Sequence, residues 1–329
     1  TKLGADVQSV PVEVEDDLEG ILEKVIHHYD GQVSDEASIA LYLLSRAVRR
    51  RVAVALSGDG GDEFFAGYST YSASKIANGA VRHLPRPFWS AMGRSAYYWP
   101  ASDAQRLPKS ALAYRFAAGL AQSATGAHVY WRRCVPSFLL PDLYGPAMRD
   151  LVGADPFAGY THELQEASGS FIDRCLLADQ RWHLPGGLLP KSDAMTMAHS
   201  LELRVPFLDR RIMDFAGRCS ADLLLAPNGE KKALLREFAR RLGAPNSVTD
   251  GAKRGFNAPL ARLLRVGLRS AAERAFVKDA DALQPYLNAD AVQKLWREHT
   301  QSGVDHSYAL WPILNFSIAQ RRNASLLST

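Results

Sequence analysis

One stretch constrains the fold of this chain more than any other: VAVALSGDGGDEFFAGY, residues 52–68. It opens with five apolar residues, 52–56, that do not alternate with polar ones, a pattern that predicts a β-strand buried on both faces. Such strands belong to parallel sheets, and ligands of open parallel sheets bind beyond the carboxyl ends of the strands. The stretch therefore predicts an α/β fold with a ligand site in the turn after the strand.

The turn after this strand combines conformational freedom with negative charge. Its glycines permit positive φ and let a ligand approach the backbone closely. Serine and carboxylates accompany them, so the candidate site residues are Ser57, Gly58, Asp59, Gly60, Gly61, Asp62 and Glu63. An ordinary strand-to-helix loop, with Asp and Ser as turn and cap residues, is the alternative interpretation.

The rest of the chain divides into two regions. Residues 7–14 alternate and predict a strand, whereas 16–28 and 39–50 have the apolar spacing of helices. We interpret residues 1–75 as a partial nucleotide-binding α/β region, the βαβ remainder of a doubly wound sheet. Residues 76–329 form the mainly helical remainder.

Composition excludes several classes of protein. With 47% hydrophobic and 22% charged residues in 329, the chain is neither disordered nor fibrous. A net charge of +4 does not require a nucleic-acid partner. The three cysteines, Cys134, Cys175 and Cys219, are far apart and do not have the spacing of metal ligands. This spacing predicts that they are reduced. No membrane span or signal peptide is visible, so a cytoplasmic protein without a membrane partner is predicted.

Three further segments carry charge in unusual settings. In residues 188–209, LLPKSDAMTMAHSLELRVPFLD, we expect Arg204 and Asp209 to form a partly buried structural ion pair. In residues 228–238, a helix predicted to begin near Glu230 has Lys231 and Lys232 at its start. Cations there oppose the helix dipole and indicate a nearby anion, although a solvated basic face explains them equally well.

The third segment is TDGAKRGFNAP, residues 249–259. Lys253 and Arg254 lie between Gly251 and Gly255, an arrangement in which a loop presents a cation to a phosphate. By itself this pattern is weak, because many exposed loops contain lysine beside glycine.

Together these segments resemble the synthetase domain of the glutamine-dependent asparagine synthetase family. The resemblance rests on YDGQVSDEASIALYLLSRAV, LSGDGGDEFFAGYSTY, LLPKSDAMTMAHSLELRVPFLD and AKRGF in that order, and continues weakly to HSYALWPILNF. It implies a parallel-sheet, adenine-nucleotide alpha-hydrolase-like fold of the PP-loop ATP pyrophosphatase type. That domain would be incomplete at its N-terminus and would have a large helical C-terminal portion.

The resemblance also implies a chemistry. In the family, ATP activates a carboxylate as an acyl-adenylate and an amine then attacks the acyl carbon. Ser57, Gly58 and Gly60 would contact ATP, while Asp59 would assist the amine. The resemblance further implies that Asp62 and Glu63 handle Mg²⁺ on the phosphates, and that Lys253 stabilises the departing pyrophosphate.

Two departures from the family leave alternatives open. The pyrophosphate loop Ser-Gly-Gly-x-Asp-Ser and the N-terminal glutaminase domain are absent from this sequence, so we expect an upstream segment or a separate subunit to supply them. Asp30, Gly31, Gln32 and Ala37 replace the family's usual Asp-Glu-Pro and Ser near the acceptor site. The acceptor is therefore aspartate or another carboxylate of specialised metabolism.

The function predicted from sequence is an amide-forming ligase that uses ATP and Mg²⁺. Its partners would be a small-molecule carboxylate and ammonia or another glutamine-derived nitrogen, with asparagine, AMP and pyrophosphate as products. A non-catalytic fragment that binds a partner is the alternative from a different class. The oligomeric state is open, with a homodimer as one alternative.

Overall fold

The computed structural model describes residues 17–31, 35–79, 84–99, 109–251 and 259–327. Two short strands, β1 and β2, are Val54–Leu56 and Glu202–Arg204. The α-helices, α1 to α19 in chain order, are Leu18–His28, Ala37–Arg49, Gly61–Phe64, Ser69–Ala77, Arg86–Tyr97, Lys109–Leu120, Ala124–Tyr130, Leu140–Leu143, Ala158–Glu166, Phe171–Ala178, Leu189–Met197, Arg210–Arg218, Ala221–Leu224, Ala233–Arg241, Asn246–Thr249, Leu260–Arg262, Arg269–Glu273, Ala289–Gln301 and Ser307–Leu327. Short 3₁₀ segments are Ser137–Leu139, Pro146–Leu151, Pro206–Leu208 and Ala280–Leu283, and π-helical segments are Asp179–Leu188, Leu263–Gly267 and Arg274–Lys278.

The small sheet joins two of the segments that the sequence singled out. Strands β1 and β2 are parallel, with Ala55 opposite Leu203. The ladder continues into the turn after β1, where the Ser57 amide donates to the Arg204 carbonyl at 2.9 Å. The observed fold is therefore mostly helical with a small parallel sheet, and the glycine turn begins at the carboxyl end of a parallel strand.

The prediction that residues 52–56 are buried on both faces is wrong for this structure. Val52 is 44% exposed, Val54 39% and Leu56 72%. In the described part of the chain, β1 has a sheet partner at only one edge. Burial of a strand depends on what packs against it, and an apolar run does not specify that neighbour.

The two helices predicted upstream of β1 are present. The first begins at Leu18, where the Asp17 side chain accepts a hydrogen bond from the Gly20 amide at 2.9 Å. Its buried face packs against α2 and α19 and consists of Leu18, Ile21, Leu22, Val25 and Ile26. The strand predicted at residues 7–14 lies outside the described residues.

A single long helical run carries residues from the core to the site. Helix α10, the π-helical segment Asp179–Leu188 and helix α11 follow one another without a break. The run begins with a capping box between Ser170 and Asp173 and contains Pro185. Pro185 cannot donate a backbone hydrogen bond, and wide π turns are frequent at functional sites.

Among the described residues, buried side chains form three core clusters. One joins α1, α2, α18 and α19, and includes Trp311 at 1% exposure. The second surrounds α10, and the third packs α5 against α6 and α7. The three cysteines are free, as predicted. None of the helices in the described ranges is long and apolar enough to cross a membrane.

Candidate active site

The turn after β1 opens onto a large cavity. Its volume is about 1120 Å³, which is large enough for a nucleotide together with a small acid. Its walls include the strand end, the π-helical segment and the segment before α14. The structure brings six of the predicted site residues to this cavity: Ser57, Gly58, Asp59, Gly60, Asp62 and Glu63.

The glycines of this turn differ in what they do. Only Gly60 has the predicted positive φ, at +86°, and a side chain there would also meet Leu208 at 2.4 Å. Gly58 has no neighbouring atom within 4 Å of the position that a β-carbon would occupy. Gly60 therefore shapes the turn, whereas Gly58 leaves free space on the cavity wall.

Hydrogen bonds fix the remainder of the turn. The Asp59 amide donates to the Ser57 hydroxyl oxygen at 3.1 Å. The Gly61 amide donates to the Gly58 carbonyl at 3.1 Å, and the short helix α3 begins there. These bonds shape the turn from which Asp59, Asp62 and Glu63 line the cavity.

The two adjacent carboxylates have different environments. Asp62 Oδ1 lies 2.9 Å from the ammonium nitrogen of Lys232. Glu63 is 0% exposed and accepts a hydrogen bond from the Tyr68 hydroxyl at 2.5 Å. Burial raises the pKa of Glu63 above the ordinary value for glutamate, although the bond from Tyr68 opposes that rise.

These two residues fit a magnesium ion. Glu63 Oε2 is buried and has no hydrogen-bond partner among the described residues, so it has a lone pair available for a cation. The described residues contain no group of three or more acidic, histidine or cysteine side chains that could hold a metal. Magnesium is commonly held by one or two carboxylates, with phosphates and water completing its coordination, so a pair of carboxylates is sufficient.

A buried ion pair connects to Glu63 through Tyr68. Asp179 is 0% exposed and contacts the Arg132 guanidinium, the Tyr160 hydroxyl and, at 3.4 Å, the His128 ring. Burial alone would raise the pKa of Asp179, but Arg132 outweighs it and holds the pKa well below the usual range. Arg132 in turn lies over the Tyr68 ring, 4.9 Å from its centroid.

The same helical run contacts the site a second time, through a polar side chain. The Gln180 side chain donates to the Glu63 carbonyl at 3.1 Å. Next along the run, His183 lines the cavity, and burial lowers its pKa to about 4, so its ring is neutral at pH 7. Sequence reasoning missed these residues, and a polar run inside an otherwise apolar helix was the available signal.

A second charged pair lies on the wall beside α2. The Lys191 ammonium is 2.5 Å from Asp35 Oδ2, and both residues line the cavity. The neighbouring Glu36 is 8% exposed, and burial together with the Asp35 charge raises its pKa to about 7. Lys191 belongs to the charged segment 188–209 of the sequence, but nothing in the sequence indicated Asp35 as its partner.

The prediction of a partly buried ion pair in residues 188–209 is wrong. Arg204 and Asp209 do not pair with each other, because Arg204 binds Glu202 at 2.8 Å and Asp209 binds Arg211 at 3.0 Å. All four groups are substantially exposed rather than partly buried. Neighbours two residues away satisfy each charge locally, so no bond between them is needed.

The lysines before α14 were predicted to lie near an anion, and one of them does. The helix begins at Ala233 rather than near Glu230, because Lys232 has left-handed backbone angles. The anion that the lysines indicated is Asp62, which pairs with Lys232, while Lys231 lines the cavity. Lys253 lies outside the described residues, so its role stays a prediction.

Known proteins are similar to this chain over most of its length. A sequence model of the asparagine synthase family matches residues 1–321. A Bacillus subtilis protein named asparagine synthetase [glutamine-hydrolyzing] 1 is 30% identical over 90% of this chain and 45% of its own. A Mycobacterium bovis protein named putative asparagine synthetase [glutamine-hydrolyzing] is 30% identical over 92% and 44%.

A more distant relative has a different name. The Penicillium rubens protein amidase chyE is 23% identical over 75% of this chain and 38% of its own length. The chain thus spans less than half the length of the curated relatives it matches. The family match over residues 1–321 includes the glycine turn, its carboxylates and the cavity walls described above. The chain belongs to the asparagine synthase family.

Proposed function

We propose that this chain performs the synthetase chemistry of an ATP-dependent amide-forming ligase. The main support is that one cavity at the carboxyl end of a parallel strand brings together six of the predicted site residues: Ser57, Gly58, Asp59, Gly60, Asp62 and Glu63. Aspartate as acceptor and glutamine-derived ammonia as amine give asparagine, AMP and pyrophosphate. The names of the Bacillus and Mycobacterium relatives support this choice of substrates.

In the first step, the acceptor carboxylate is activated. One of its oxygens attacks the α-phosphorus of ATP, the bond from that phosphorus to the β-phosphate oxygen breaks, and pyrophosphate leaves. Ser57, Gly58 and Gly60 bind the nucleotide, and Lys253 stabilises the charge that develops on pyrophosphate. Asp62 and Glu63 would hold Mg²⁺, which supplies neutralisation of the phosphate charge.

In the second step, the amide bond forms. The nitrogen of ammonia attacks the acyl carbon, the bond from carbon to the AMP oxygen breaks, and AMP leaves. The attacking nitrogen must lose a proton, and the Asp59 carboxylate accepts it. Asp59 is suited to this because it lines the cavity in a turn fixed by the hydrogen bond from its backbone amide to the Ser57 hydroxyl oxygen.

A second acceptor is favoured by a specific feature of the cavity wall. Ala37 and the Asp35–Lys191 pair line the cavity in the region where this sequence departs from the family pattern. The Penicillium relative is named an amidase, not an asparagine synthetase. The competing proposal is amidation or cyclisation of another carboxylate, whose acidic or amino groups contact Asp35 and Lys191.

The wider context of the chain is also a proposal. A glutaminase domain or subunit supplies the ammonia, in keeping with the glutamine-hydrolyzing names of the relatives. A PP-loop fold, a cytoplasmic location, a homodimer and the division at residue 75 stay predictions. The non-catalytic alternative predicts no turnover of ATP.

The test is acid-dependent exchange of labelled pyrophosphate into ATP, measured with the protein encoded by the whole gene. We expect aspartate to stimulate the exchange, and Asp62→Asn and Glu63→Gln to reduce it while the protein stays folded. Stimulation by another acid, and not by aspartate, would favour the second acceptor. No exchange with any acid would leave only the non-catalytic alternative.

A further inference from the structure

Lys232 has an unusual backbone for a lysine. Its φ is +55° and its ψ is 34°, the left-handed region that glycine tolerates and side chains with a β-carbon avoid. Such a conformation costs free energy, and it persists only where the surroundings impose it. Strained residues of this kind cluster at functional sites.

The surroundings of Lys232 impose this conformation from both sides. The preceding residue, Lys231, forms an antiparallel bridge with Leu225, and the Ala226 amide donates to the Glu230 carbonyl at 3.0 Å. The Arg236 side chain donates to the Lys231 carbonyl at 3.0 Å, and on the other side the Arg236 backbone amide donates to the Lys232 carbonyl at 2.9 Å, where helix α14 begins. The chain is thus fixed before Lys232 and after it, and the strained angles connect the two parts.

The strain directs the Lys232 side chain at the proposed metal end of the site. Its ammonium nitrogen lies 2.9 Å from Asp62 Oδ1. Gly67 makes room for this contact, since a β-carbon there would lie 1.8 Å from Asp62 Oδ1 and 2.4 Å from Lys232 Cε. Both the strained turn and the glycine therefore serve one ion pair.

The turn that carries Lys232 is also tied to the segment before residue 252. Arg236 donates to the carbonyls of Thr249 and, at 3.2 Å, Gly251. Arg240 bridges Glu230 at 2.7 Å and Asp250 at 3.1 Å. The segment that leads into the predicted phosphate loop is therefore anchored to the same turn.

We infer that Lys232 is the exchangeable counter-ion of Asp62: it neutralises this carboxylate until a divalent cation replaces it. The inference rests on the proposed function, in which Asp62 holds Mg²⁺. A divalent cation held by Asp62 would repel the ammonium, and Lys232 would then contact the polyphosphate that accompanies the metal. Lys232 thereby lowers metal affinity in the absence of nucleotide and adds a phosphate contact in its presence.

This role has a signature in which two effects have opposite signs. Without the ammonium, Asp62 keeps its full charge for the metal, so Lys232→Met should bind Mn²⁺ alone about tenfold more tightly. The same variant should lose about a hundredfold in the rate of adenylation, because one positioned cation is missing from the phosphates. A residue with only a structural role would not tighten metal binding.

The experiment is a calorimetric titration with Mn²⁺ in the absence of nucleotide, paired with the pyrophosphate exchange assay. Lys232→Gly is the second variant, since it removes the ammonium and relieves the positive φ, and it should match Lys232→Met in both assays. Lys75→Met is the matched control, because Lys75 pairs with Asp222 at 3.9 Å on the surface and should change neither value.

Asp62→Asn separates failure of this inference from failure of the proposed function. If Asp62→Asn abolishes Mn²⁺ binding but neither Lys232 variant tightens it, the counter-ion role is wrong and the metal site stands. If Asp62→Asn leaves Mn²⁺ affinity unchanged, the metal assignment is wrong, and the inference falls with it.

Discussion

Gly58→Ala tests whether a ligand approaches the backbone of the turn after β1. Gly58 has no positive φ, and no atom lies within 4 Å of the position of a new β-carbon. The free protein therefore has room for alanine at this position. Only a ligand that uses this free space, as we propose for ATP, would meet the added methyl group.

The expected effects on stability and on binding have opposite signs. Alanine restricts the unfolded chain more than glycine does, so the free energy of unfolding should rise by about 0.4–1 kcal/mol. The methyl group keeps the phosphates from the backbone and costs a hydrogen bond to a charged group, about 1.5–3 kcal/mol. That loss corresponds to roughly a tenfold to hundredfold higher KM for ATP.

The assay combines thermal unfolding of the free protein with pyrophosphate exchange as ATP is varied. Gly153→Ala is the matched control, since Gly153 is exposed, has no atom within 4 Å and should leave the KM for ATP unchanged. Gly60→Ala should instead destabilise the protein, because φ is +86° and Leu208 lies 2.4 Å from the new carbon. A normal KM for ATP in Gly58→Ala would refute the proposed approach of the nucleotide.

Three further changes test the charges around the site. Gly67→Ala should lower the free energy of unfolding by about 1–3 kcal/mol and weaken Mn²⁺ binding, because its new carbon would overlap Asp62; thermal melts and a metal titration check this, and a normal affinity contradicts it. Tyr68→Phe removes a bond that lowers the pKa of Glu63, so the acid limb of the pH–rate profile should move to higher pH; an unmoved limb would exclude Glu63 as the group that titrates. The third change is Glu36→Gln. Burial raises the pKa of Glu36 from 4.5 to about 7, so the folded state keeps a proton that the unfolded state releases, and stability falls as pH rises through this window. The glutamine variant should not lose stability over this pH range. At pH 8 its free energy of unfolding should exceed that of the wild type by up to about 3 kcal/mol, as measured by denaturant unfolding at pH 5 and 8.

Local pattern was enough to predict the elements whose stability depends on neighbours in sequence. The spacing of Leu18, Ile21, Leu22 and Val25 predicts α1, and the structure buries that face. The glycine turn after β1 was equally predictable, because the positive φ at Gly60 is a local property of the backbone. Six residues of this turn share one cavity because they are close together in the chain.

Contacts between distant segments could not be predicted from the sequence in the same way. The partner of β1 is β2, and the neighbour of Asp62 is Lys232, although each pair is far apart in sequence. The apolar run 52–56 predicted burial that the described chain does not provide, and the Arg204–Asp209 pair was replaced by bonds within each segment. An alternating or apolar pattern fixes which face a residue takes, but not what covers that face.

The sequence by itself determined the family, through the order of its motifs. It also determined the helices upstream of β1 and the acidic glycine turn, because short-range periodicity and backbone preference encode such elements. Only the tertiary structure decided that Lys232 adopts left-handed angles beside Asp62, and that Arg132 and Asp179 stand behind Tyr68 and Glu63. A strained lysine or a buried ion pair is stable only when several segments hold it at once. That cooperation arises when the chain is folded, and no single stretch of sequence records it.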